Sequence, residues 1–334
     1  MQHEPSSSSG SSSSLSLSLL PVAGIDVSKS TLDVFIDLVN QAFSMANDDQ
    51  GRPDLIGRLR AANVRLVLIE ATGRHHRKLS AELLEAGFQV VVVNPQRARE
   101  FARSMGKLEK TDRIDARMLA EFARRMDHRP MEKPKEQQSQ LDDLISRRRA
   151  LVQMRIAEKN RQGEESQPRL ARDQARKMLR LIEQQIEDLD RAVAKLIEDD
   201  DEWSDKSRLI TSIPGIGQGT AQQLIADLPE LGKLDRGQIA KLVGVAPINC
   251  DSGVHRGRRA IRGGRGPVRC ALYMGAFNAM HYNPRFKAYA QRLRDKGKHF
   301  KVILTACMRK LVTILNQMIK TNTTWNEKLA FNLP

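Results

Sequence analysis

The sequence predicts an α/β domain built on a mixed sheet, followed by a helical middle and a mostly α-helical C-terminal domain. Three observations lead there. Short apolar runs of strand character crowd residues 22–45 and then alternate with helical segments up to Met126. In Ala171–Asp200, Leu179, Ile182, Ile186, Leu189, Val193 and Leu196 follow one another by threes and fours, an a/d heptad seam. From Ser207 onward the chain is apolar again, with a Pro-Gly-x-Gly turn and two amphipathic helices.

The elements follow in order. Residues 1–20 are low-complexity serine without a basic start or a proper apolar stretch, and are expected to be a disordered tail rather than a signal peptide. Residues 21–130 form the first domain. Val22–Val27, Leu32–Leu38 and Gln41–Met45 read as strands of a hairpin ladder, and Arg52–Ala62 as a helix. Arg65–Glu70 is an apolar strand that ends in an acid. Ser80–Ala86 is helical and stops at Gly87, Phe88–Val93 is a buried strand, and Asn94-Pro95 opens a helix; Asp112–Met126 is another. Residues 131–203 hold the charged helices Gln140–Ala157 and Ala171–Asp200, separated by a break at Asn160–Arg169 that contains Gly163 and Pro168. Their seam suits an antiparallel hairpin or one arm of an intermolecular coiled coil. Residues 204–334 form the last domain, with helices at Val268–Met280 and Lys298–Ile319.

Charge narrows the partners. Among 334 residues, 55 Lys and Arg stand against 40 Asp and Glu, a net charge of +15. Such a balance favours a polyanion, because each neutralised phosphate releases condensed counterions. No apolar run approaches the ~18 residues of a membrane helix, so no membrane span is expected. Cys250, Cys270 and Cys307 are too few and too scattered for a disulfide framework or a CxxC zinc site, which suits a reducing cytoplasm. Aromatics are 4%, few for a single-strand reader built on base stacking. Trp203 and Trp325 read as packing residues, and no histidine sits where a general base would.

Four acids stand out by context. Asp26 lies inside an apolar strand (AGIDVS) and Glu70 ends another (LVLIEATG). Asp112 and Asp115 in KTDRIDA stand at i and i+3, one turn apart on one face of a helix start. Ionised carboxylates gathered this way repel unless cations neutralise them. Oxygen ligands suit Mg²⁺, and two such ions about 4 Å apart steady the attacking and leaving oxygens of a phosphodiester. Taken singly, each acid also reads as a solvated strand end or helix cap. Their order, an acid on strand one, an acid on a later central strand and two on a following helix, matches the ribonuclease H-like fold of two-metal nucleases.

The C-terminal half carries nucleic-acid motifs. Thr211–Ala221 reads TSIPGIGQGTA, the hairpin of a helix-hairpin-helix module or an ordinary helix–helix turn. Gly215 and Gly217 would let the backbone turn and bring helix N–H groups to a phosphate. Asp251–Arg269 reads DSGVHRGRRAIRGGRGPVR, with Arg256, Arg258, Arg259, Arg262, Arg265 and Arg269 as phosphate-gripping forks on a glycine-opened loop. Ser252 is a hydroxyl amid these cations. It reads as a turn former or as a nucleophile toward phosphorus.

Taken together, GIDVSKSTLDV, LIEATG, KTDRIDA, IPGIG, GVAP and DSGVHRGRRAIRGGRGPVRCALYMGA resemble the DEDD insertion-sequence transposases. These are site-specific recombinases with a Holliday-junction-resolvase-like N-terminal domain and a C-terminal transposase domain. The resemblance spans roughly Val22 to Trp325. It implies that Asp26, Glu70, Asp112 and Asp115 bind Mg²⁺ as a two-metal site and that Ser252 is the nucleophile. It further implies donor and target DNA and a bridge noncoding RNA as partners, and a homo-oligomer, dimer or tetramer, joined through the coiled coil. A bacterial, cytoplasmic and nucleoid-associated location goes with it. Competing readings are a Holliday-junction-type endonuclease that uses water and leaves Ser252 inert, and a non-catalytic nucleic-acid binder. A third, an actin-like ATPase suggested by GIDVSKST, lacks the second Asp-Gly-rich loop that fold needs.

Overall fold

The protein is represented by a computed structural model that describes residues 20–71, 75–106, 112–128, 130–132, 136–162, 168–249, 257 and 259–327. The chain divides into two compact units, Met1–Pro134 and Lys135–Pro334.

The first unit is a five-stranded mixed sheet. Its elements are β1 (Val22–Val27), β2 (Thr31–Ile36), β3 (Gln41–Ala46), α1 (Gly51–Ala61), β4 (Leu66–Glu70), α2 (His75–Glu85), β5 (Gln89–Val93), α3 (Pro95–Ser104) and α4 (Asp112–Arg125). The strand order is β3-β2-β1-β4-β5. β2 runs antiparallel to both neighbours, while β1, β4 and β5 are parallel. This is the ribonuclease H-like arrangement that the order of the acids predicts. Asn40, at φ 49°, occupies the left-handed conformation that closes the β2–β3 turn, a conformation asparagine tolerates better than most residues.

Period two splits the strands between two cores. Ala23, Ile25, Val67, Ile69 and Val90 pack with Leu55 and Leu59 of α1 and Leu79 and Leu83 of α2. Val22, Phe35, Leu66, Leu68, Val91 and Val93 pack with Ala116, Leu119, Ala120 and Phe122 of α4. Gly24 falls on this second face. A Cβ there would lie 2.1 Å from the Ala116 carbonyl oxygen and 2.4 Å from the Ala120 nitrogen, so only glycine lets α4 approach β1 so closely.

The second unit is helical. It begins with α5 (Glu136–Gln162) and α6 (Arg169–Glu198), which run antiparallel: Arg148 pairs with Asp190, and Lys159 with Glu183 at 3.3 Å. Leu151 of α5 packs on Ile182 and Ile186 of the seam, with Leu189 beside them. Then come α7 (Asp201–Thr211), α8 (Gln218–Asp227), α9 (Arg236–Val243), the two-residue strands β6 (Pro247–Ile248) and β7 (Ala260–Ile261), α10 (Gly266–Tyr282), α11 (Pro284–Asp295) and α12 (Phe300–Thr321). One continuous core joins the bases of α5 and α6 (Leu141, Ile145, Val193, Ile197) to the helices that follow. Trp203 is buried there, and Trp325 stacks on Phe286 with ring centroids 6.1 Å apart, so both tryptophans serve packing.

Several expectations are corrected here. By length and composition α12 is apolar enough to cross a membrane. Arg309 and Lys310 interrupt its apolar run. The helix is instead the centre of the core, with Leu304, Cys307, Leu311 and Leu315 buried. The Gly/Arg stretch is not open throughout: Ala260–Ile261 pairs with Pro247–Ile248, and α10 begins at Gly266. α9 and α11 were not separated from their flanks by any periodicity long enough to see. Cys250, Ser252, Arg256 and Arg258 lie outside the described residues.

Candidate active site and nucleic-acid interface

The close packing at Gly24 builds the site. Side chains two residues apart on a strand share a face, so Asp26 follows Gly24 onto the α4 side, and Glu70 follows Leu68. Both acids stand at the C-terminal ends of adjacent parallel strands, one step past the register pair Ile25–Ile69.

α4 runs back along these strands. Its C-terminal Arg124 donates to the Leu20 carbonyl at 2.8 Å and to Asp37 Oδ2 at 2.6 Å, at the N-terminal end of β1. Asp37 in turn accepts from the Val22 amide at 2.9 Å. The first turn of α4, with Asp112 and Asp115, therefore lies at the end where Asp26 and Glu70 emerge. Asp115 immediately precedes Ala116, the residue that meets Gly24. The side chain of Asp112 is outside the described set, although its backbone opens α4.

One acid at this end escaped the sequence reading. Asp33 of β2 is the register partner of Asp26 and lies two residues from Phe35, on the α4 face. It accepts a hydrogen bond from the Ser44 hydroxyl. Directly opposed carboxylates on antiparallel strands repel, and a cation between them reverses the sign. The period of STLDVF, with Asp33 in phase with Phe35, was the available signal. Among the described residues no group of three His, Cys, Asp or Glu side chains is arranged to hold a metal ion. The donor set at the sheet end is all oxygen, however, and that chemistry fits a hard divalent cation.

Arginines flank the acids. β5 ends at Val93, the register partner of Glu70, and α3 starts directly after it, capped by the Asn94 side chain. Ala98 and Phe101 hold α3 to the core, and Phe101 meets Phe122 edge-on at 5.1 Å. Arg99 and Arg103 project from the other side beside a cleft of about 550 Å³ and form no ion pair among the described residues. These two also went unremarked in the sequence.

In the second unit the expected phosphate-binding residues divide. Arg265 forks onto Glu230 at 2.5 and 2.7 Å and donates to the Asp227 carbonyl at 2.9 Å. Arg269 donates to the carbonyls of Gly263 and Val243. Arg265 and, through Nη1, Arg269 thus make contacts within the fold. Arg259 and Arg262 are exposed and make no described contact. Gly215 has φ 92°, and a Cβ there would press on the Asn278 and Ala279 backbone at 3.0 Å, so helix packing requires this glycine. Gly217 caps α8 and faces open space, which leaves its surroundings accessible to a ligand.

Comparison with known proteins identifies the lineage. Residues 23–163 match the DEDD transposase model of IS110 elements, and residues 207–291 match the model described as the transposase of the IS116/IS110/IS902 family. The chain belongs to the IS110 transposases. It is 28% identical over 317 residues to the pilin gene-inverting protein of Moraxella bovis, covering 92% of this chain and 98% of the relative. It is also 28% identical over 125 residues to an uncharacterized 43.6 kDa protein of insertion element IS110 from Streptomyces coelicolor, 37% of this chain and 31% of that one. The solved T. thermophilus RuvC in complex with a Holliday junction substrate aligns at 16% identity and a TM-score of 0.25, over 34% of this chain and 99% of that chain. As a transposase of this family the chain acts on DNA, and cleavage and rejoining of strands is the chemistry its site must serve.

Proposed function

We propose that this transposase recombines DNA through a divalent-cation site made by Asp26, Glu70, Asp112 and Asp115, with Ser252 as nucleophile and a bridge RNA choosing the DNA. The observation that carries the reading is the contact of α4 with Gly24, which gathers Asp26, Glu70 and the first turn of α4 at one end of the sheet. Bound there, Mg²⁺ would withdraw charge from the scissile phosphate and steady the departing oxygen. Asp33 adds a carboxylate beside Asp26. Arg99 and Arg103 hold the backbone of the strand that enters. Ser252 Oγ then forms a bond to phosphorus, the phosphorus–oxygen bond to one strand end breaks, and the departing oxygen takes up the proton that serine loses. The ester keeps the phosphodiester's energy for rejoining to a new strand. Arg259 and Arg262 are placed in sequence to counter the charge around it. Pairing with a second copy would use the outer side of the α5–α6 hairpin, because Ile182 and Ile186 of the seam are buried within it, and the α7–α8 hairpin, open at Gly217, suits the helix-hairpin-helix role toward the DNA backbone.

The test is a recombination assay with each site altered. Asp26→Asn, Asp115→Asn and chelation of divalent cations should each lower strand cleavage at least about a hundredfold, since the ion contributes several kcal/mol of transition-state stabilisation. Ser252→Ala should abolish the covalent protein–DNA adduct while DNA binding persists. An adduct that persists in Ser252→Ala removes serine from the chemistry. Cleavage by Ser252→Ala without an adduct would select the water-using endonuclease. Full cleavage in EDTA would end the metal reading.

A further inference from the structure

We propose that the C-terminal unit carries a second nucleic-acid contact, unrelated to the Gly/Arg stretch: a cationic cleft between the start of α9 and one flank of α12 that grips a phosphodiester backbone. The cleft has a volume of about 290 Å³, and Asp235, Arg236, Lys310, Gln317 and Lys320 are among the residues that line it.

Its walls are fixed. Buried Asn316 of α12 accepts from the Gly232 amide at 2.9 Å and donates to the Leu234 carbonyl at 2.8 Å, which ties the loop before α9 to α12. Gly232, at φ 93°, passes so close that a Cβ would lie 2.5 Å from Ile319 Cγ2. The cations are thus held by packing instead of waving from a loop.

The charge that lines the cleft is mostly positive. Asp235 is the one carboxylate among the lining residues, and its Oδ1 already accepts from the Gly237 and Gln238 amides, at 2.7 Å each, in the capping box of α9. Arg236 and Lys320 form no ion pair among the described residues. Arg292 of α11 lies over the Tyr289 ring, 5.2 Å from its centre. Neighbouring Arg309 has a buried Nε with no hydrogen-bond partner. Burial, and then repulsion from Arg236 and Arg292, hold Lys310 below the ordinary lysine range. A group of like charges this dense stabilises an anion that enters it.

The dimensions select a polymer. Lys310 and Lys320 are ten residues apart on one helix, which spans about 15 Å. That reach exceeds one phosphate and matches several in a row. Guanidinium forks and lysine point charges bind phosphate oxygens whatever the bases are. The contact does not depend on the acid site, so it stands or falls separately from the chemistry proposed above.

The experiment measures equilibrium binding of the full chain, without divalent cations, between 50 and 200 mM salt. The probes are a 40-base-pair DNA duplex and an RNA duplex of the same length. Arg236→Ala/Lys320→Ala removes two contacts and should lower the slope of log affinity against log salt by about 1.8 on DNA. Its deficit relative to the unaltered chain should shrink about 12-fold across that salt range. Arg236→Lys should keep the slope. A matched loss of two charges at ion-paired residues, Arg161→Ala/Arg191→Ala, should leave it nearly unchanged. A drop confined to DNA, or to RNA, supports the cleft and names its occupant. An unaltered slope on both probes overturns the proposal, as does an equal drop in the matched control. Circular dichroism confirms that each variant is folded.

Discussion

Two arginine-bearing segments look alike on paper and differ in three dimensions. α3 carries Arg99 and Arg103 as exposed side chains, while the segment entering α10 carries Arg265 and Arg269 half-buried against the fold. Arg265 grips Glu230, 35 positions earlier, and Arg269 ties down the carbonyls of Val243 and Gly263. α3 packs through Ala98 and Phe101, and among the described residues Arg99 and Arg103 form no ion pair. Arginine density therefore marks a nucleic-acid surface only where the fold supplies no carboxylate or carbonyl to occupy the guanidinium. A half-buried fork on a carboxylate holds structure together; an unpaired one on a rigid helix remains available to phosphate.

The comparison also separates two kinds of packing, and its largest test is Gly24→Ala. The added methyl would collide with the α4 backbone, so at least about 3 kcal/mol should be lost from the N-terminal unit in urea unfolding, together with metal-dependent cleavage. Wild-type stability in that variant would break the account of how the acids meet. Next in size is a pH effect confined to the other unit, which holds all three cysteines. Burial pushes the Cys307 thiol up to about 12 from its ordinary 9.0. Between those values the unfolded chain ionises this thiol and the folded chain does not. Its contribution is fully present below pH 9 and is lost as pH rises toward 12, by about 1.4 kcal/mol per unit at most. Subtracting the alkaline stability curve of Cys307→Ala from that of the unaltered chain should isolate the slope; identical curves would contradict it.

Smaller effects sharpen the contrast between the arginines. Arg265→Ala leaves Glu230 without its partner and should cost about 1–3 kcal/mol in urea unfolding, while the salt slope of DNA binding stays fixed. Arg99→Ala/Arg103→Ala should do the reverse. Stability should stay within about 0.5 kcal/mol, and the salt slope should fall by about 1.8 if each holds one phosphate of a duplex. If both pairs behaved alike, the distinction between internal and available arginines would fail.

Much of the framework was legible from local pattern. Val22–Val27 is a strand with the bounds the sequence predicts, and Leu179, Ile182, Ile186 and Val193 of the seam are buried. The motif AGIDVS displays both Gly24 and Asp26, and alternation puts them on one face. What it could not display is the identity of the partner, because Ala116 and Ala120 come more than ninety residues later. Asp33 was passed over for a related reason: a polar residue in a strand is ordinary until its cross-strand neighbour proves to be another acid. α12 is the amphipathic helix the sequence predicts at Lys298–Ile319, with its apolar face buried.

By itself the sequence determined the strands, the heptad seam, the net charge of +15 and the presence of acids at strand ends and a helix start. These depend on spacings of two to seven residues and on composition, which any reader of the chain can count. The tertiary structure decided which acids share one end of the sheet, which glycines are required by backbone contact, and which arginines still have open donors. Those outcomes hang on contacts between residues tens of positions apart, where packing places one side chain against another and no local period records it.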